Sequence, residues 1–165
     1  MFLRKKNGLQ YKFNVIIVMT LVLGIAAYLF PLNIVDGESM LPTLHSSDVI
    51  VTSRLSKVER GDIIVGFLDY GDKVGKELVV KRVLAIEGDT IEIQKDSVLV
   101  NGEKVAEQYT LDSTMQQTMN EIKIEPGKLF VLGDNRNDSC DSRSVGCMNV
   151  SDCVGVVKKV IGTVH

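Results

Sequence analysis

The 165-residue sequence predicts a mainly β domain, a coiled antiparallel sheet of barrel-like character, behind one N-terminal transmembrane helix. Three observations predict it. An uninterrupted apolar run lies near the N-terminus. Many short β-rich runs follow it. Glycines and other turn residues separate those runs at short intervals. The chain is long enough for one domain with a real core. Its 45% hydrophobic and 24% charged content is that of a globular protein rather than a disordered one.

The apolar run, Val15 to Pro31, reads VIIVMTLVLGIAAYLFP. It carries no charge, and Thr20 is its only clearly polar residue. With Phe13 and Leu32 it approaches the ~20 residues that cross a bilayer core as a helix. A buried core helix of this length would show a polar face, and this one shows none. Arg4, Lys5, Lys6 and Lys12 lie on its N-terminal side, and no acid occurs before residue 33. The positive-inside rule then puts the N-terminus in the cytoplasm. Three parts follow: a basic cytoplasmic segment (1–14), an anchor helix (15–32) and an extracytoplasmic β domain (33–165). A cleaved secretory signal is the competing reading. Ala26 and Ala27 are small, but Tyr28, Leu29 and Phe30 follow without a break, and the run is long for a signal. The uncleaved anchor is preferred, making this a single-pass protein of the cell membrane with the lipid bilayer as a partner. A net charge of −2 gives no sign of a nucleic-acid partner.

Beyond the anchor, Asp48–Thr52 (DVIVT), Asp62–Phe67 (DIIVGF), Leu78–Ile86 (LVVKRVLAI), Thr90–Gln94 (TIEIQ) and Ser97–Val100 (SVLV) read as strands. Asn101-Gly102, between SVLV and Glu103–Val105, is a hairpin turn. Lys128–Leu132 (KLFVL) and Val154–Val164 complete the set. Residues 107–121 are polar and aperiodic and read as a surface loop, with room for a helical turn. Cys140, Cys147 and Cys153 lie close together. Free thiols and one disulfide are both open readings in an extracytoplasmic domain. The spacing and the two histidines fit a zinc site poorly, so no metal or cofactor is expected.

The stretch VDGESMLPTL, Val35 to Leu44, holds a serine between an acid and a methionine. A serine nucleophile needs a base. His45 is six residues from Ser39 and His165 is the last residue, and neither sits on a predicted strand. Lys81 is the other candidate. Strand alternation places it on a face with Val79, Val83 and Ala85, and turns Arg82 to the opposite face with Val80 and Leu84. An ordinary lysine lays its stem on such a face and reaches for water with its head. As a base it faces a stricter demand. With a pKa near ~10.4, about one lysine in ~2,500 is neutral at pH 7. Burial disfavours the charged form and lowers that pKa by up to ~3–5 units. An apolar strand face supplies burial, and a solvated loop does not.

A third stretch, VLGDNRNDSCDSR from Val131 to Arg143, ends a strand and opens a dense polar loop. Alone, Gly-Asp-Asn is a turn. The cluster also offers Ser139 and Ser142 as hydroxyls to orient an amine, and Asp141 with Arg143 as an ion pair to hold the loop in shape.

GESMLPT, RGDIIVGF, KRVLAIEGD and GDNRNDSCDSR occur in this order behind the anchor, spanning residues 37–143. This arrangement resembles the type I signal peptidases, the membrane-bound Ser–Lys proteases that remove signal peptides from exported proteins, in their compact Gram-positive form. The resemblance implies Ser39 as nucleophile and Lys81 as general base. It implies that Ser139 hydrogen-bonds the lysine amine, that Asp141 and Arg143 brace the site, and that Met40 and Pro42 shape the loop around the nucleophile. Arg82 is a further supporting residue. The backbone N–H of Ser39 would be one oxyanion donor. Some relatives place a serine two residues before the nucleophile as a second donor, and Gly37 stands there in this chain.

The implied activity is a serine endopeptidase acting on preprotein signal peptides at the outer membrane surface, cutting after small residues in an Ala-x-Ala pattern through an acyl-enzyme. Independently of family, Ser39 lies eight residues beyond Pro31. It is therefore within about 29 Å of the helix end. Two other readings are a membrane-anchored β domain that only binds peptides, and a self-cleaving Ser–Lys protease of the LexA-like kind.

Overall fold

The computed structural model of the chain describes residues 4–111 and 115–163. His165, Val164 at the end of the last predicted strand, and residues 112–114 of the predicted loop lie outside the described residues.

The helix α1 spans Arg4–Leu29. Its Gln10–Leu29 portion is long and apolar enough to cross a membrane. Phe13, Ile16, Val18, Leu21 and Leu23 are all exposed, so the helix presents no polar face. It begins earlier than the apolar run, because Gln10, Tyr11 and Lys12 contain no helix breaker. It stops at Leu29 because Pro31 disfavours helical geometry at Phe30. Leu32, expected as the end of the anchor, instead opens strand β1 (Leu32–Ile34).

The predicted strands appear as β2 (Asp48–Ser53), β3 (Ile63–Asp69), β4 (Lys76–Ile86), β5 (Thr90–Gln94), β6 (Ser97–Val100), β7 (Glu103–Lys104), β9 (Lys128–Leu132) and β11 (Cys153–Thr163). The Asn101-Gly102 turn joins β6 to β7. Sequence reasoning missed β1, β8 (Met119–Lys123), β10 (Met148–Asn149) and the four-residue helix α2 (Ser142–Val145). β8 falls partly inside the stretch read as a loop. Its residues are mostly exposed, so no apolar alternation marks it, and pairing with β5 creates it.

Seven strands form one antiparallel sheet in the order β1-β2-β11-β3-β4-β9-β10, and four form a second in the order β7-β6-β5-β8. The barrel-like expectation resolves into coiled sheets that do not close. β4 pairs with β3 through Lys76 to Arg82, and with β9 only from Arg82 onward. Residues 76–81 therefore keep a free edge, and β1 has a partner on one side only. The sheet curls until these two free edges face each other across a cleft. The four pairings from β1 to β4 are all antiparallel, so β1 and β4 run in the same direction.

Three apolar clusters hold the fold. Leu84, Ala85, Ile91, Ile93, Phe130 and Leu132 join the two sheets. Ile64, Leu68, Val83, Val131 and Val156 fill one face of the larger sheet. Val35, Met40, Leu44, Ile50 and Val65 seat the segment after β1 against the other face. The expected strand alternation in β4 breaks once. A bulge between Val83 and Ala85 turns Ala85 into the inter-sheet cluster beside Leu84. Lys81 therefore shares its face with Val79 and Val83, as expected, but not with Ala85.

Candidate active site

Three segments distant in sequence meet at one end of the cleft. The first is the loop after β1. Met40, buried in the third cluster, pins it from beneath. The Leu41–Pro42 peptide bond is cis. The loop presents Ser39 at the cleft wall.

The second segment is β4. Lys81 Nζ lies 2.6 Å from Ser39 Oγ, donating to it in this arrangement. Lys81 is only 4% exposed. Burial is the main cause that lowers its pKa below the ordinary lysine value, and the Arg143 cation pushes in the same direction. Asp141, Cys140 and Asp134 oppose the shift. The net direction is downward, toward the neutral amine.

The third segment is the loop from Gly133 to α2. Asp141 is fully buried. It accepts from Gly133 N at 3.0 Å, and from Arg143 Nε and Nη2 at 2.8 Å each. It also caps α2. Asn135 reaches the Ser39 segment directly: its backbone N–H donates to Ser39 O at 3.0 Å, and its side chain to Glu38 O at 3.2 Å. A Cβ on Gly133 would overlap Ser39 O and the Ser139 side chain, so only glycine permits this approach.

Two expectations about hydroxyls change. Ser139 Oγ is buried and has no hydrogen-bond partner among the described residues, so the implied bond to the lysine amine is not formed in this arrangement. Its side chain packs on Gly133 instead, and the amine makes its short contact with Ser39. Ser142 Oγ accepts from Val131 N at 3.0 Å, which engages it in the loop's own support. Gly37 takes a φ of 88° and brings no side-chain donor. The Ser39 N–H makes no hydrogen bond among the described residues, which leaves it available to an oxyanion. His45 is exposed and turned to Asp48.

Arg82 points to the face opposite Lys81 and grips Asp134 through two bonds, Nε at 2.8 Å and Nη2 at 2.6 Å. Thr43 of the loop after β1 donates to the same carboxylate at 2.5 Å. Tyr109 stacks on the guanidinium with its ring centroid 3.9 Å away. Thr43, Asp134, Asn135 and Tyr109 were not singled out from sequence. Thr43 and Asp134 stood inside quoted stretches, but only the fold shows that one carboxylate ties three segments together. The three cysteines are free: Cys140 is exposed and Cys147 and Cys153 are partly buried. No group of acids, histidines and cysteines suited to a metal occurs among the described residues.

The cleft extends from this site along the facing edges of β1 and β4. It has a volume of about 670 Å³. Leu32, Asn33 and Ile34 line one wall, residues 77–81 line the other, and Val65 lies between them. Two unpaired strand edges of this kind accept an extended peptide through backbone hydrogen bonds.

The family profile described as "Signal peptidase, peptidase S26" matches residues 9–161. A curated relative, signal peptidase I P of Bacillus subtilis subsp. natto, is 37% identical over 171 residues, covering 95% of this chain and 90% of the relative. Signal peptidase I S of Bacillus subtilis is 33% identical over 172 residues, with 95% and 90% covered. Among solved structures, a signal peptidase I from Enterococcus faecalis superposes with a TM-score of 0.52 at 27% identity, covering 62% of this chain and 98% of that one.

Proposed function

This chain belongs to the signal peptidase family, peptidase S26, and on that premise we propose that it removes signal peptides through a Ser39–Lys81 dyad on the outer face of the cell membrane. It is a serine protease of a membrane-associated family that acts on preprotein signal peptides. The observation that carries the dyad is the 2.6 Å contact between Ser39 Oγ and a lysine amine on a buried strand face.

Neutral Lys81 takes the Ser39 proton as Oγ attacks the scissile carbonyl. The Ser39 N–H receives the developing oxyanion charge. The protonated amine then gives its proton to the leaving nitrogen, and the neutral amine later activates water against the acyl-enzyme. Substrate in the cleft excludes water from the amine and favours its neutral form further. Asn135 and the Asp134–Arg82–Thr43 linkage hold nucleophile and base in register, and Asp141 with Arg143 keeps their loop in shape.

The anchor α1 supports the bilayer as a partner, with the basic N-terminal segment cytoplasmic and residues 33–165 outside. The cleft starts at Leu32, three residues beyond the helix, and runs to Ser39. A substrate still held in the bilayer therefore enters from the helix end, with its signal portion in the cleft. It then runs parallel to β1 and β4. Small residues, Ala-x-Ala, are the expected side chains just before the cut.

The test is cleavage of a preprotein bearing an Ala-x-Ala site. The wild type cuts it, Ser39→Ala and Lys81→Ala lose at least about a thousandfold in kcat/KM, and His45→Ala does not. Near-normal activity of Lys81→Ala would remove the dyad. Binding without cleavage by the wild type would return the peptide-binding module.

A further inference from the structure

The cleft carries charge at its helix end that neither the fold nor the dyad uses. Glu77 lines that end of β4, opposite the β1 wall. Its register partner is the buried Leu68, yet Glu77 itself is exposed. Its carboxylate has no hydrogen-bond or ion-pair partner among the described residues. The adjacent Lys76 is committed to Asp152, at 2.7 and 2.8 Å, and does not neutralise it. Besides Glu77, the ionisable residues lining the cleft are Asp36 and the buried Lys81. Apart from the buried Lys81, the charge lining the cleft is therefore anionic, and Glu77 carries it at the helix end.

Position follows from strand geometry. Glu77 stands four residues before Lys81 on the same strand face. That separation is about 13 Å. A peptide lying parallel to β4, with its reactive carbonyl at Ser39, covers the same distance in four residues. Its fifth residue before the cut then lies beside Glu77. Alternation also puts its first, third and fifth residues on one face, so the fifth side chain turns to the same side as the two small ones.

We infer that Glu77 is a specificity-determining residue: it selects substrates with a basic side chain at the fifth position before the cut, and acts against acidic ones there. The inference rests on the reading of the cleft as the seat of the signal portion. Two screened charges at an exposed rim set the scale, about a fivefold preference for Lys over Glu at low salt. The preference shrinks toward one as salt is raised to ~1 M.

The experiment uses the full chain in uncharged detergent micelles. Synthetic signal-peptide substrates carry Ala at the first and third positions before the cut, and Lys, Gln or Glu at the fifth. The expected order of kcat/KM is Lys over Gln over Glu, expressed mainly in KM. Glu77→Gln brings the Lys-to-Glu ratio to about one, and Glu77→Lys reverses it. Asp36→Asn keeps the ratio, which separates a local contact from a general field. If the Gln peptide is cut but the wild type shows no order, or Glu77→Gln keeps it, the role of Glu77 is overturned and the peptidase reading stands. If the wild type cuts none of the three peptides, the peptidase reading falls and takes this inference with it.

Discussion

Asp134→Ala tests the linkage that joins the Ser39 loop, strand β4 and the polar loop after β9. Asp134 is fully buried, and the Arg82 side chain is only 11% exposed. Removing one member of a buried ion pair costs about 3–5 kcal/mol, because the surviving charge loses its partner. Arg82 would retain Gly61 O at 2.9 Å and the Tyr109 ring. The lower end, about 3 kcal/mol, is therefore expected. At ~2–4 °C per kcal/mol, Tm falls by about 6–12 °C. The assay is thermal unfolding of the full chain in micelles, followed by circular dichroism, with Arg82→Met and the double variant completing a cycle. The double variant should be at least about 1 kcal/mol more stable than the two single losses summed. A loss under about 1 kcal/mol for Asp134→Ala, or additivity within ~0.5 kcal/mol, would refute the linkage, since those are values of a solvated surface pair.

Four further outcomes are expected. The rising limb of kcat/KM against pH should lie below the ordinary lysine range, and Arg143→Gln should move it to higher pH, because the Arg143 cation lowers the amine's pKa. A limb that follows His45→Ala instead would contradict this. Lys81→Met should abolish cleavage yet raise Tm at neutral pH. Burial lowers the folded pKa, so the unfolded chain binds the proton more tightly; the penalty is full below the folded pKa and fades as pH rises to about 10.4. An unchanged or lowered Tm would count against it. Gly133→Ala should destabilise by about 1–3 kcal/mol and reduce kcat more than tenfold, since its Cβ overlaps Ser39 O. Denatured protein made without reductant should titrate three free thiols, and fewer would indicate a disulfide that the structure does not contain.

The apolar run, the strand runs with their turns, and the three chemical stretches were all legible from residue order. They rest on local rules: helix length against bilayer thickness, alternation along a strand, and the backbone needs of turns. Those rules placed Lys81 on an apolar strand face, turned Arg82 away from it, and offered Asp141 and Arg143 as the ion pair that the structure forms; the roles of Ser39 and Lys81 came from the family resemblance. The failures of the rules were equally physical. A bulge in β4 sent Ala85 to the other cluster, because pairing with β9 shifts register where no side-chain pattern announces it. β8 lacked an apolar face to betray it, and Leu32 had the composition of an anchor but the partner of a strand.

Sequence by itself determined the chemistry this protein can hold: one membrane-length helix, one serine in a shaped loop, and one lysine on an apolar strand. Only the tertiary structure decided how those groups meet. Ser39 and Lys81 are 42 residues apart, and Thr43 and Asp134 are 91 apart. Such contacts depend on sheet register and curl, which are properties of strand pairs rather than of any one strand. The same curl leaves β1 and β4 unpaired across a cleft, which is built from two edges that look, in sequence, like any others.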